Sequence, residues 1–458
     1  MKNFFNSSPR WYVAAFLAFF VLYLCGWVYT IHLAQVERAA GDAVVMPVGD
    51  HDSTSYANLS TALLRGYFAE AGEQHEYFHT PGYPAFAAAI RFFTGGSFFM
   101  VTLAQILLAF GIALMTRSLG ETLVSEKVGL WASLLFLANP LVPYIALIVG
   151  TDVLFTFLLT LAFLLLIKVF PTRPLAGTLA AGIVFAAAVY VRPVGFIALP
   201  IFIAPLIAAT APLRQKLLYG AAMLAIIGAL LLPWMLRNKA DSGVFSFSSL
   251  FSLNMAYYEI PHFLSWHGGM TIAEGVQNVA EESGVPEGID ANGYPANWYN
   301  LAYTPALDRY IYATIFAHPV QYALFHLYNS TGFFLNPAIT PAHQSINLKQ
   351  LLAERQFRAF VGAVLTPWWL VLERAGILLG LILLAAGFWS LRRKPLAWAF
   401  LFIILYFAAL GGVSAASRLR LPVEPLLAIF MVAGLCYVCS VLAPSRGTKT
   451  AAQADMRI

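Results

Sequence analysis

The sequence predicts an all-α polytopic membrane protein, and three observations carry that prediction. Charged residues make up 11% of 458 positions and hydrophobic ones 60%, whereas soluble domains are about a quarter charged. Apolar runs of about 17–25 residues recur along the chain, each able to cross about 30 Å of hydrocarbon. Two long polar connections, near 36–96 and 238–366, separate groups of these runs.

In chain order the spans are expected near 12–34, 97–116, 128–148, 152–169, 175–191, 195–211, 217–236, 367–390, 396–413 and 421–442, roughly ten in all. Lys2 and Arg10 precede the first, but its length, its aromatic content and the lack of a small-residue cleavage site make it an anchored helix rather than a signal peptide. Basic residues of the short loops set the orientation: Arg117, Lys127, Lys168, Arg173, Arg214, Lys216, Arg392, Arg393, Lys394, Arg446 and Lys449 all fall on the side of the N-terminus. Both termini are therefore expected in the cytoplasm of an inner (plasma) membrane protein, with the long connections on the external or periplasmic face. The chain divides into an N-terminal membrane module with the first external loop, which holds the catalytic groups (1–238), a second external region with interfacial helices (239–365), C-terminal membrane helices (366–445) and a cytoplasmic tail (446–458).

The formal charge of +5 follows from this loop bias and a few outward arginines, so no nucleic-acid partner is implied. Three cysteines, Cys25, Cys436 and Cys439, give no disulfide framework. The C-x-x-C pair lies in an apolar helix with no histidine nearby, which argues against a redox or zinc role. No internal repeat appears.

The first external connection has its own order. From Asp52, "DSTSYANLSTALLRG" reads as a short amphipathic helix capped by Asp52 and stopped by Gly66, with Tyr56, Leu59 and Leu63 on one stripe. It is expected to lie along the membrane surface. "HTPGYPAFAAAIRFF", His79 to Phe93, follows; its prolines and glycine force an irregular start to a second helix too short to span. In the second connection, turn signals in "GVPEGIDANGYPANWYN" precede the aromatic segment "PALDRYIYATIFAHPVQYALFHLYNSTGFFL", expected to be another interfacial helix.

Carboxylates at membrane boundaries are costly, about 2.5–3.5 kcal/mol at a helix centre, and two stand out. Asp52 opens the first surface helix, and Asp152, in "IVGTDVLF", begins the fourth span at the same face. Either carboxylate can cap a helix, as Thr151 beside Asp152 also can, and a capping carboxylate keeps an oxygen free to accept a proton. Four arginines share the face: Arg192, Arg237, Arg418 and Arg420, three of them beside a proline. One arginine there would snorkel to headgroups; four around two carboxylates suggest a site for an anion such as phosphate, which arginine binds bidentately.

The order D-x-x-x-Y (Asp52, Tyr56), H-x-P-G-Y-P (His79, Pro81, Gly82, Tyr83, Pro84), T-D (Thr151, Asp152), R-P (Arg192, Pro193), P-W-x-x-R-N (Pro233, Trp234, Arg237, Asn238) and R-x-R-x-P-x-x-P (Arg418, Arg420, Pro422, Pro425) resembles the GT-C membrane glycosyltransferases. Within them it is most similar to the branch of protein O-mannosyltransferases and lipid A aminoarabinose transferases, over about 12–260 closely and 366–440 loosely. The resemblance implies a GT-C-like fold and a transferase that moves a sugar, with inversion, from a polyprenyl-phosphate carrier such as undecaprenyl phosphate to a lipid, glycan or protein acceptor across the membrane. It implies Asp52 as general base and Asp152 as the second acidic position, and it puts His79 and Tyr83 near the donor phosphate. The large soluble C-terminal domain that several members append is not expected in this chain.

The chemistry of the residues agrees. A lipid phosphate leaves as an anion, so no acid and no carboxylate nucleophile are required; one base and cations to hold the phosphate suffice. Asp52 is the expected base, with Asp50 as the substitute, and the four arginines are the expected cations. The isoprene tail needs an apolar groove between spans. A divalent cation, magnesium or manganese, could bridge Asp52, Asp152 and phosphate, and the sequence leaves this open. Competing readings are a transporter or flippase of sugar-linked lipids, a scaffolding membrane protein and a glycan ligase with a diphosphate-linked donor. A transporter would show internal repeats and midplane charges, whereas here the charges gather at one face.

Overall fold

The computed structural model describes residues 8–39, 51–69, 76–197, 199, 206, 211–289, 295–336, 368–414 and 417–442. Asp50, Arg446, Lys449 and the tail lie outside these, as does most of the span expected near 195–211. Among the described residues the regular structure is helical, apart from one isolated bridge between Ile289 and Pro295. Among the described residues seven helical stretches are long and apolar enough to cross a membrane: Arg10–Gln35, Phe98–Leu123, Asp152–Val169, Pro174–Val191, Leu213–Ser242, Leu372–Leu391 and Ser417–Leu442. The protein is a multi-pass membrane protein.

The first of these belongs to α1 (Arg10–Ala39), followed by the surface helices α2 (His51–Leu64) and α3 (Gly82–Phe93). Next come α4 (Phe98–Leu123), α5 (Glu126–Ala138), α6 (Leu141–Ala146), α7 (Asp152–Leu164) and α8 (Pro174–Val191). The single span expected near 128–148 is thus two helices. Pro140 drives Asn139 into extended backbone (ψ 117°), as a residue before proline prefers. In α9 (Leu213–Ser242) Pro233 lies inside the helix, which runs past the expected boundary and carries Arg237 within it. The span expected near 396–413 is shorter, Pro395–Ala409.

The ends of the bundle differ in chemistry. At one, Arg117 Nη1 donates to Ser8 Oγ at 2.6 Å and Lys394 Nζ donates to the Leu123 carbonyl at 2.8 Å, so the basic loops after α4 and before residue 395 meet. Gln105 sits on the same helix as Arg117, roughly 18 Å away at 1.5 Å per residue. Its amide donates to the carbonyls of Ala146 and Ile148 at 3.0 and 2.7 Å. The candidate residues Tyr83 and Asp152 lie at this second end, Tyr83 bonded to Gln105 and Asp152 just after the loop that Gln105 holds. One apolar core threads both membrane modules, from Tyr83 and Val101 through Phe155 and Phe185 to Phe400 and Phe430.

The long connection after α9 has a core of its own, built on Ile260, Val279, Trp298, Leu307 and Ile311. It is made by α10 (Leu250–Asn254), the π-turn Met255–Glu259, α11 (Ile260–Gly268), α12 (Ile272–Ser283), α13 (Thr304–Ala317) and α14 (Pro319–Ser330). The expected single interfacial helix is broken at His318 and Pro319. Phe316 on α13 and Val320, Leu324 and Leu327 on α14 are exposed.

Candidate active site

Two short helices, two helix ends and the helical stretch Ser417–Val423 build the site. Arg91 of α3 fastens the surface helices together, donating to Ser60 Oγ and Thr61 Oγ1 at 2.7 and 2.9 Å while lying 4.0 Å over the Phe98 ring. Tyr83, fully buried, donates to Gln105 Oε1 at 2.7 Å, which pins α3 to the loop that leads into Asp152. Gly82 lets α3 touch the end of α8: a Cβ there would stand 2.5 Å from the Tyr190 carbonyl. The backbone contact leaves no room for a side chain, and Arg192 follows two residues after the point of contact. Pro193 ends α8 at Arg192, which is extended (φ −144°), and so frees the arginine to turn toward Asp152.

Asp152 Oδ1 accepts from Arg192 Nη1, and both side chains are largely covered, 10% and 15% exposed. Asp52 Oδ2 accepts from Arg418 at 3.0 Å, but this pair is open, 45% and 40% exposed. Tyr56 joins the two. Burial pushes its phenol well above the ordinary range; Asp52 and Asp152 push the same way, while Arg192 and a hydrogen bond with Thr151 pull back. The hydroxyl therefore stays protonated among two carboxylates and a guanidinium. The rings of His79 and Tyr83 each pack edge-on to Tyr56 at 5.1 Å between centroids. Asp52, Tyr56, His79, Tyr83, Asp152, Arg192 and Arg418 thus form one cluster, assembled from five separate segments.

The capping expectation changes. Helix α2 begins at His51, one residue before Asp52, and Thr151, at the N-cap of α7, makes no side-chain cap bond. Both aspartates lie in first turns, where the helix dipole favours a negative charge, and they spend their oxygens on arginine.

The other two arginines are engaged elsewhere and touch neither aspartate. Arg237 pairs with Asp241 at 3.0 Å, donates to the Glu76 carbonyl at 3.0 Å, and lies over the Trp234 ring. Glu76 in turn accepts from the backbone N–H groups of Phe78 and His79 at 2.8 and 2.7 Å. Burial would raise its carboxyl, but His79 and those N–H groups outweigh burial and hold it below the ordinary range. Arg237 thereby shapes the turn that presents His79. Arg420, buried, pairs with Glu424 at 2.6 Å and donates to the carbonyls of Phe333 and Phe334 at 3.1 and 3.2 Å, tying the end of the second long connection to the segment that carries Arg418.

A second tie escapes sequence reading. Glu259, buried, accepts from His326 Nδ1 at 2.6 Å and from the Val413 N–H at 2.9 Å, and the other nitrogen of His326 lies 2.7 Å from the Ala409 carbonyl. Gly412 beside it adopts φ +46°, and a Cβ there would stand 2.5 Å from Glu259 Oε2. The hydrogen bond to Glu259 raises the His326 pKa, against the opposing effect of burial.

Among the described residues no three His, Cys, Asp or Glu side chains converge on a point where a metal ion could be held. Asp52 and Asp152 are two carboxylates each already met by a guanidinium group, a donor set that does not fit a resident metal ion.

No family model and no curated protein matches the chain. Solved structures do. Against the archaeal oligosaccharyltransferase AglB from Archaeoglobus fulgidus, solved with an inhibitory peptide and a dolichol-phosphate, the TM-score is 0.51 at 16% identity, covering 95% of this chain and 51% of that one. The apo form of the Archaeoglobus fulgidus oligosaccharyltransferase gives 0.51 at 15%, covering 96% and 52%. ArnT from Cupriavidus metallidurans bound to undecaprenyl phosphate gives 0.40 at 14%, covering 94% and 79%. The chain spans about half the length of the archaeal enzyme, and the likeness establishes the fold: a helical membrane architecture shared with that oligosaccharyltransferase.

Proposed function

We propose that this GT-C-fold chain is an inverting glycosyltransferase, which moves a sugar from a polyprenyl-phosphate carrier to an acceptor at the external face of the plasma membrane. The single observation that carries the reading is the convergence of Asp52, Asp152, Arg192 and Arg418 around Tyr56 at one end of the bundle. It supplies a base and cations on one patch, opposite the end where Arg117 and Lys394 lie. The positive-inside bias makes that opposite end cytoplasmic, with the termini. The archaeal oligosaccharyltransferase was solved with a dolichol-phosphate, and a carrier of that chemical class suits a membrane-embedded site rimmed by arginine.

The reaction is one displacement. The acceptor's nucleophilic oxygen or nitrogen attacks the anomeric carbon as the carbon–oxygen bond to phosphate breaks. The bonding pair leaves on the phosphate oxygen, and the acceptor's proton goes to Asp52. Asp52 is accessible enough to meet an acceptor, whereas Asp152 is covered and serves to hold Arg192. Arg418 and Arg192 offset the charge that grows on the leaving phosphate, so no acid is needed to protonate it. Tyr56, kept neutral, can donate a hydrogen bond within the cluster. His79 and Tyr83 fix the ring of Tyr56 from the second surface helix.

The test is a panel of polyprenyl-phosphate sugars, carrying mannose, aminoarabinose, glucose or galactose, offered to the purified protein in liposomes with cell-envelope acceptors. The proposal expects one donor to be consumed with release of polyprenyl phosphate. Loss of release in Asp52→Asn would place the base, and failure of every donor to react would sink the proposal.

A further inference from the structure

Arg418 has two claims on it. It is tied to Asp52 at 3.0 Å, yet it is also the more open of the two site arginines, 40% exposed against 15% for Arg192, and so the one a lipid phosphate meets first. We infer that the Asp52–Arg418 ion pair is a latch that the donor opens: with no donor bound Arg418 neutralises the base, and a carrier phosphate that draws Arg418 away releases Asp52 to take the acceptor's proton. The inference rests on the proposed function and deepens it.

Three observations support exchange at this pair. First, an open pair is weak and screened, so an anion with oxygens of its own can compete for the guanidinium, whereas the covered Asp152–Arg192 pair is expensive to break. Second, the partners come from independent segments: Asp52 rides on the first turn of α2, and Arg418 lies in the tight helical stretch Ser417–Val423. Arg420, two residues on, is fixed to Glu424 and to the carbonyls of Phe333 and Phe334, so the Arg418 side chain moves on an anchored backbone. Third, Oδ2 of Asp52 is itself the acceptor of the Arg418 bond, so this oxygen is freed for the acceptor's proton only when a donor phosphate has taken the guanidinium, which makes binding ordered, donor before acceptor.

The latch predicts that Asp52 and phosphate compete for one arginine. The measurement is the affinity of the full chain, in phosphatidylcholine nanodiscs, for undecaprenyl phosphate, with phosphatidylglycerol as the control for an ordinary anionic headgroup. Asp52→Asn, and equally Asp52→Ala should the amide fold poorly, is expected to bind undecaprenyl phosphate about two- to fivefold more tightly, as expected when a weak competing pair is removed. Asp52→Glu keeps the competing charge and stays at the wild-type value. Arg418→Ala binds more weakly, and adding Asp52→Asn to it brings no gain. The latch is overturned if Asp52→Asn binds as wild type does, or if the gain survives in Arg418→Ala, which marks a general field effect. A gain equal for phosphatidylglycerol also overturns it, because the site is then a headgroup contact. If wild type itself does not prefer undecaprenyl phosphate to phosphatidylglycerol, the carrier reading fails and the latch with it, a result distinct from the other three.

Discussion

Replacing Asp152 by asparagine is expected to loosen the fold, while the same change at Asp52 leaves it intact. The difference follows from burial. Asp152 and Arg192 are 10% and 15% exposed, so deleting the carboxylate strands a guanidinium in a covered site beside Tyr56, a loss of about 3–5 kcal/mol for a broken buried pair. Asp52 and Arg418 are 45% and 40% exposed, and an open pair of that kind contributes about 0–1 kcal/mol. Tryptophan fluorescence during thermal unfolding in detergent reads the difference directly. Asp152→Asn should melt well below wild type and Asp52→Asn beside it. Removing both partners, Asp152→Asn with Arg192→Gln, should recover part of the loss because no charge is left uncompensated. The reasoning is refuted if Asp152→Asn melts within about 0.5 kcal/mol of wild type, the range of an ordinary surface substitution, or if Asp52→Asn is the more destabilised.

Three further outcomes are expected. Gly82→Ala forces its methyl against the Tyr190 carbonyl, a clash costing about 1–3 kcal/mol; donor KM should rise because α3 carries Tyr83 and packs beside Arg192, and an unchanged KM would mean that α3 does not position the site. His326, whose pKa is raised by Glu259, contributes stability that is complete below the unfolded histidine value of about 6.5 and is lost as pH climbs through the raised folded value. Melting temperature should therefore fall as pH rises from about 6.5, and Glu259→Gln should flatten that slope; a slope unchanged in the variant would assign it elsewhere. Chelation by EDTA should leave turnover intact, since guanidinium groups already meet both carboxylates, and activity that returns only with magnesium or manganese would restore the cation to the site.

The membrane character was legible because apolar length is a local property: runs near 98–123, 152–169 and 174–191 need no knowledge of packing. Asp52 and Asp152 were legible as anomalies, charges at boundaries where charge is costly. Their approach was not, because it depends on α3 packing against α8 through Gly82, a contact between segments about a hundred residues apart. Arg237 and Arg420 carried a local signal that points away from the aspartates: each has an acidic residue four positions on, Asp241 and Glu424, a spacing that pairs side chains on one helical face. Glu259 and His326 carried none, since two helices and a loop must meet before either has a partner. The break at Asn139–Pro140 was readable in principle, for a residue before proline leaves helical backbone, but an uninterrupted apolar run hid it.

The central claim is sugar transfer by the group at Asp52, and release of polyprenyl phosphate in proteoliposomes by wild type and Asp52→Asn side by side tests it most directly. The account predicts release by wild type matched one for one by glycosylated acceptor, and a fall of about 10²–10⁴-fold in the variant, the usual contribution of a general base. Movement of solute across the membrane by wild type with no sugar lipid consumed, or equal release by both proteins, would contradict it.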